Sequence, residues 1–205
     1  MDLYFAAGCP FAQRTRALLT RLDHPFEPHV VNLASRPPEF LAVSPNGKVP
    51  LLVDGTVKLY ESFIVNLYLA EKLDWAQAFA SDVGIRARQR LAMLQFDEVV
   101  IPAYYKSLRE PLEADRLDAL KKALAEMERT VELTEGADNL LGIHCATHWA
   151  RWRWMPEDSS VMALVEEYAS LTEWLDDVAA LAHVKATLPD REAFVPMFRA
   201  RFGKK

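Results

Sequence analysis

What the chain does without narrows its class before any motif is read. Cysteine occurs twice in 205 residues, as Cys9 and Cys145. Two thiols so far apart offer no disulfide framework and fit a reducing compartment. No apolar run is long enough to cross a bilayer, and no basic-then-apolar leader follows Met1. A cytoplasmic protein with no membrane partner is therefore expected. A strong excess of one charge is also missing: the formal net charge is −5, spread along the chain. That leaves no electrostatic footprint for nucleic acid, and no nucleic-acid partner is expected. There is no internal repeat and no low-complexity tract. What the chain does have is apolar content, 51% of its residues, enough for the buried cores of one large or two small domains.

The stretch Gly8-Cys9-Pro10-Phe11-Ala12 carries the sharpest chemical signal. A short apolar run (Leu3, Tyr4, Phe5) ends just before it and a helical pattern begins just after. Cys9 therefore falls at the first turn of a helix, where unpaired N–H groups and the positive end of the macrodipole favour an anion such as a thiolate. Pro10 at the first helical position loses nothing by lacking an N–H. Depressed thiol pKa values are typical of this arrangement, which marks Cys9 as a candidate nucleophile, against the plain alternative of a small buried hydrophobe. In a dithiol redox motif the second cysteine would stand at Ala12. Its absence means that an adduct on Cys9 must be resolved by an external thiol, glutathione or a similar small thiol.

Read in order, Leu3–Phe5 is a strand, and the helix from Pro10 presents Ala17, Leu18 and Leu22 as its apolar face, with Arg14, Arg16 and Arg21 mostly opposite. Asp23-His24-Pro25 breaks it, and 26–31 is a second strand, parallel to the first because a helix connects them. Pro37 and Pro38 start a short helix. The turn 44–48 leads into a strand in which Pro50 is the first residue. Were the Val49–Pro50 bond cis, Val49 would turn its backbone groups outward, ready to pair with a peptide-like ligand. Asp54-Gly55 signals a hairpin to 57–59. A helix follows, with Ile64, Leu67 and Tyr68 on one face and Ser62 at its start, either as N-cap or as a hydroxyl held out, with the helix N–H groups, to a ligand carboxylate.

Positions 73–82 read as a linker, and everything beyond is helical. Asp82 caps a long helix to about Leu108, with Leu91, Leu94 and Ile101 along one side and a kink or break at Pro102. A second helix runs through Leu117, Leu120, Leu124, Met127 and Val131 to a stop at Gly136. His144 and His148 share a helix face, but no further ligands lie near, so no metal is expected. A disulfide between Cys145 and Cys9 would need the two to meet across domains, and is not expected either. In the strip 149–154, Trp149 and Trp152 should pack inward while the arginines snorkel; stacking on nucleic acid is the weaker reading for an acidic chain. Val161 to Trp174 reads as one amphipathic helix, 177–188 as a shorter one, and Phe194, Val195, Phe198 and Phe202 as a tail too apolar to leave in water.

The order Cys9-Pro10-Phe11-Ala12-Gln13-Arg14, then Asn46-Gly47-Lys48-Val49-Pro50, then Tyr60-Glu61-Ser62-Phe63-Ile64 resembles the cytosolic glutathione transferase superfamily over nearly the whole chain, and within it the cysteine-type omega and lambda classes. The resemblance implies an α/β plus all-α fold: a thioredoxin-like domain (βαβαββα) over 1–75 and an all-helical substrate-binding domain over 82–205. It implies that Cys9 is catalytic, forming a mixed disulfide with glutathione, which serves as cosubstrate with no other cofactor. It implies that Val49, before Pro50, pairs with the cysteinyl part of glutathione, that Glu61 and Ser62 hold the γ-glutamyl end, and that Arg36, or else Lys48, meets the glycyl carboxylate. Phe11 would pack beside the thiol or fill the core. Tyr104, Tyr105 and Trp149 are the candidates for an electrophile pocket in the second domain, with ordinary core packing as the alternative. A small-molecule electrophile or disulfide acceptor and a homodimer are implied partners. The rival function is a non-enzymatic interaction protein on the same fold, resembling the stringent starvation protein A group that contacts RNA polymerase. One departure stands out: where most transferases open a buried helix with Ser or Thr, two residues and Asp, this chain has Cys145 and His148. Loss of that capping box predicts a local deficit of roughly 1 kcal/mol unless another residue such as Thr147 caps instead.

Overall fold

Buried Leu3 and Phe5 alternate with part-exposed Asp2 and Tyr4 along β1 (Asp2–Phe5) in the computed structural model, which describes residues 1–203. Lys204 and Lys205, the end of the expected helical domain, lie outside the described residues. The first unit continues through α1 (Pro10–Arg21), β2 (Glu27–Val30), α2 (Pro38–Val43), β3 (Leu51–Asp54), β4 (Val57–Tyr60) and α3 (Ser62–Lys72). This is the expected thioredoxin-like βαβαββα order. The sheet runs β2-β1-β3-β4. β1 pairs in parallel with β2, Leu3 facing Pro28, and antiparallel with β3, Leu3 facing Leu52. Pro28 costs no ladder bond because β2 is an edge strand. Gly55, at φ +60°, makes the turn into β4, a conformation glycine adopts without steric cost.

The described residues divide into two compact units, Met1–Ala78 with Ala182–Pro189, and Phe79–Leu181 with the stretch from Asp190. The first therefore contains a remote piece that a division at 75 and 82 does not foresee. Its helix α10 (Ala182–Lys185) and the turn after it dock on α1. Gln13, fully buried, donates from Nε2 to Val184 O at 3.1 Å and to Thr187 Oγ1 at 3.0 Å, and Arg16 Nη1 donates to Thr187 O at 3.2 Å. A buried amide needs such partners, and here only a distant segment supplies them. Thr15, also fully buried, donates from Oγ1 to Asn66 Oδ1 at 2.8 Å and ties α1 to α3. Two expectations about which side of a helix is buried fail in this unit. Arg14 is fully buried rather than solvent-facing, and the core face of α3 runs through Val65 and Leu69, leaving Ile64 46% exposed.

The second unit is helical throughout its regular elements: α4 (Val83–Gln95), a π-helical turn (Phe96–Val100), α5 (Ile101–Ser107), α6 (Ala114–Glu132), α7 (Leu140–Trp152), α8 (Ser160–Val165), α9 (Ala169–Ala180) and α11 (Arg191–Phe202). Asp82 caps α4 as expected, its Oδ1 accepting from Ile85 N at 2.8 Å. The long helix breaks its α pattern in the turn just before Pro102, whose ring displaces the preceding carbonyl and whose missing N–H leaves a gap in the ladder. Leu91 and Leu94 turn outward, and the buried side is Ala92, Met93, Phe96 and Val100.

Every residue of α7 is buried. Its cap is Asn139, whose Oδ1 accepts from Gly142 N at 2.9 Å. The helix thus begins well before Cys145, so neither Cys145, His148 nor Thr147 is asked to cap it and the expected deficit does not arise. The single helix expected over 161–174 is two, because Tyr168 is non-helical (φ −101°, ψ 84°) and spends its hydroxyl on Lys121 O at 3.1 Å. Trp149 and Trp152 are buried as expected. Arg151 is buried too instead of snorkelling, while Arg153 reaches the surface and pairs with Asp176 and Glu166. Phe194 and Phe198 bury one side of α11.

Candidate functional site

A cleft of about 310 Å³ opens in the first unit, lined by Cys9, Phe11, Leu33, Arg36, Gly47, Lys48, Val49, Pro50, Glu61 and Ser62. This volume is at the lower end of small-molecule sites, about 300–1,000 Å³. The fold brings two helix starts to this one place. Cys9 is the N-cap residue of α1, with extended backbone, and its side chain does not bond back to the helix; Pro10 occupies the first turn. Glu61 is the N-cap residue of α3, likewise without a side-chain cap bond. The starts of two helices, the positive ends of their macrodipoles, thus meet at the cleft, a setting that favours a thiolate at one end and a carboxylate at the other.

Cys9 is a part-exposed residue, whereas Cys145 is buried in the second unit. The Val49–Pro50 bond is cis. Ser62 is not the N-cap, as one expectation had it, but the first residue of α3, and its hydroxyl accepts from Arg14 Nη1 at 3.2 Å. Glu61 holds φ +67° and ψ 112°, a region that costs a non-glycine residue of order 1–3 kcal/mol and that persists where the surroundings fix it, often at ligand sites. Arg36 donates from Nε to Gly47 O at 2.8 Å, which anchors the guanidinium at the cleft edge beside exposed Lys48. The lining thus carries two cations and one carboxylate. Ligands of mixed charge suit it.

All eight residues expected at a thiol and peptide site, from Cys9 to Ser62, lie on this cleft. Sequence reasoning missed Leu33, Gly47 and the buried Arg14 behind them. Gly47 was within sight as the turn glycine at φ +62°; nothing in the helical pattern marked Arg14 as inward. The second-unit candidates fare differently. Tyr104 is fully buried and stacks on Trp152, with ring centroids 4.0 Å apart. Burial pushes its hydroxyl well above the usual tyrosine range. Trp149 is also fully buried, its Nε1 donating to Asp176 Oδ1 at 2.7 Å. Both are interior residues of the helical unit, so the pocket-wall role expected of them gives way to core packing. Tyr105 is half-buried against Phe198 and Phe202.

His144 Nε2 lies 3.0 Å from Asp97 Oδ1, and His148 meets Phe96 and Trp152 edge-on. Among the described residues no group of three or more His, Cys, Asp or Glu is placed to hold a metal ion. Nor, among them, is any helix long and apolar enough to cross a membrane.

Known proteins match in the region that builds this cleft. Residues 3–77 fit the family model described as glutathione S-transferase, N-terminal domain. Glutathione S-transferase omega-1 of Mus musculus is 31% identical over 140 residues, 67% of this chain and 56% of that protein. A probable glutathione transferase of Aplysia californica is 31% identical over 83 residues, 40% of this chain and 90% of that protein. The chain spans between about a third and a little over half of the length of the first curated relatives it matches. Among solved structures, glutathione transferase Omega 1C of Trametes versicolor superposes with a TM-score of 0.79 at 25% identity, covering 98% of this chain and 95% of that one. Sequence, topology and the residues gathered at the cleft agree, and the chain belongs to the glutathione S-transferase superfamily, with omega-class proteins prominent among its relatives.

Proposed function

We propose that the protein is a glutathione-dependent thiol transferase of the cysteine type, acting through a mixed disulfide on Cys9. One observation carries the reading: a part-exposed cysteine at the start of α1 shares a cleft with Glu61 and Ser62 at the start of α3. The Cys9 thiolate attacks the glutathionyl sulfur of a mixed disulfide; the new bond joins Cys9 to glutathione, and the acceptor thiolate leaves and takes a proton. A second glutathione thiolate then attacks the sulfur of the bound glutathione, giving oxidised glutathione and returning Cys9 to the thiolate. Ala12 is consistent with this external resolution, since no second thiol stands in the motif.

Within the cleft, Glu61 takes the γ-glutamyl ammonium and Ser62 its carboxylate. Val49, beside Pro50, pairs with the cysteinyl backbone, Arg36 or Lys48 meets the glycyl carboxylate, and Phe11 packs beside the thiol. The omega-1 name of the mouse relative supports a cysteine-type branch. Exposed Leu91 and Leu94 on α4 support a homodimer as the assembled form.

The test is intact-mass measurement after incubation with oxidised glutathione, alongside thiol-transferase and dehydroascorbate reductase assays. One glutathionyl adduct is expected on Cys9, none on buried Cys145, and Cys9→Ala should lose both the adduct and the turnover. Undiminished rates in Cys9→Ala would defeat the mechanism.

A further inference from the structure

Thr187 is buried in the turn after α10, and each of its polar groups is engaged. Its N–H donates to Val184 O at 3.2 Å, and its carbonyl accepts from Arg16 Nη1 at 3.2 Å. Its Oγ1 accepts from Gln13 Nε2 at 3.0 Å. The hydroxyl proton then has two carbonyls in reach, His183 O at 3.1 Å and Val184 O at 3.0 Å. Val184 O already accepts from Gln13 Nε2 and from the Thr187 N–H. Those two bonds fill its lone pairs, so the proton goes to His183 O. Thr187 is thereby fixed as an acceptor toward α1 and a donor toward its own turn.

The two residues of α1 that Thr187 holds lead to the two ends of the connection that carries Cys9. Gln13 N donates to Cys9 O at 3.0 Å, the bond that closes the first turn of α1. Arg16 lays its guanidinium on Phe5, the last residue of β1, with Cζ 4.7 Å from the ring centroid. Inside the connection, Cys9 N donates to Ala6 O at 3.0 Å. The field of a helix terminus falls off within a single turn, so a thiol there responds to small shifts of the backbone beneath it. We propose that Thr187 is a positioning residue for Cys9: through Gln13 and Arg16 it clamps both ends of this connection and so keeps the thiol at the start of α1 in its nucleophilic form. The proposal rests on Cys9 as the nucleophile of the thiol-transfer reading and deepens it, because part of the control over that thiol then lies in a segment more than 170 residues away along the chain.

The experiment follows the alkylation of Cys9 by iodoacetamide across the range in which reactive thiols titrate, about pH 5 to about pH 9, as mass gained by the peptide that carries Cys9. Wild type, Thr187→Val, Thr187→Ser and Arg16→Lys are compared, each with its urea midpoint measured alongside. Thr187→Val keeps the side-chain shape and takes away the oxygen that Gln13 donates to. It should move the midpoint of the pH profile upward by about half a unit or more, so that roughly threefold fewer Cys9 thiols are ionised below the midpoint. Thr187→Ser keeps the hydroxyl and should keep the wild-type profile. Arg16→Lys keeps the charge but not the planar fork that meets both Phe5 and Thr187, and should shift the profile in the same direction. Should Thr187→Val not fold, Arg16→Lys decides the matter, since that side chain is only part-buried. A lowered urea midpoint with an unchanged alkylation profile would make the contact structural alone and overturn the proposal, with the reading of Cys9 left intact. A wild-type Cys9 that titrates as an ordinary thiol, at about 8.5, would overturn both.

Discussion

Replacing Gly142 by alanine should destabilise the helical unit, although alanine is the better helix former. Gly142 lies in the first turn of α7, and a Cβ there would stand 2.2 Å from Ala137 O and 3.0 and 3.2 Å from the two γ-methyls of Val178. The methyls can shift by tenths of an ångström, but a backbone carbonyl cannot swing away unless its loop moves. That loop carries Asn139, whose Oδ1 caps Gly142 N at 2.9 Å and whose Nδ2 donates to Gly136 O at 3.1 Å. The favourable side is the propensity gain, at most about 1 kcal/mol. Against it stand overpacking, typically about 1–3 kcal/mol, and loss of the cap, about 1 kcal/mol. The net is a loss on the order of 1–3 kcal/mol, or roughly 3–10 °C in Tm for a chain of this size. Tryptophan fluorescence is the apt probe, because Trp174 Nε1 donates to Gly136 O at 3.3 Å and reports on the displaced loop. Urea titration followed by fluorescence should show a lower midpoint with an unchanged slope. A midpoint equal to or above that of the wild type would refute the steric reasoning.

Two other substitutions probe the first unit. Thr15→Val keeps the side-chain shape but deprives Asn66 Oδ1, in a fully buried setting, of the hydroxyl that donates to it at 2.8 Å; urea unfolding should show a loss of about 1–3 kcal/mol, and an unchanged midpoint would deny the α1–α3 tie its importance. Asp54 accepts from Lys72 Nζ and from Tyr68 Oη, and these bonds, Lys72 first, hold its carboxyl below the ordinary carboxylate range. A depressed folded value means that the stabilisation is complete above the unfolded value of about 3.9 and is lost as pH falls through the lower folded one. Wild type should therefore lose stability on acidification from pH 5 that Asp54→Asn does not lose, by no more than about 1 kcal/mol for so exposed a cluster; parallel pH profiles of the two urea midpoints would count against it.

Local pattern carried a good deal of this protein. The strand and helix order of the first unit, the hairpin at Asp54-Gly55, the Asp82 cap and the disturbance near Pro102 all follow from rules acting within a few residues. Cys9, Ser62 and the Val49-Pro50 pair were legible for the same reason, since they sit at helix or strand starts, where turn and capping chemistry leaves a mark in the sequence; Phe11, Arg36, Lys48 and Glu61 were expected only through the family resemblance.

Other features have no local mark. Which side of α3 is buried, the inward turn of Arg14 and the outward turn of Leu91 and Leu94 depend on what each helix meets. Asn139 displaces the expected cap because the loop it ends could fold back on Gly136. The docking of Ala182–Pro189 on α1 joins residues more than 170 positions apart through Gln13. The sequence by itself determined the elements and the chemistry offered at their ends; the tertiary structure alone decided which buried polar groups answer one another. A hydrogen bond between distant segments leaves no periodicity to read, and becomes visible only once packing has removed water from both partners.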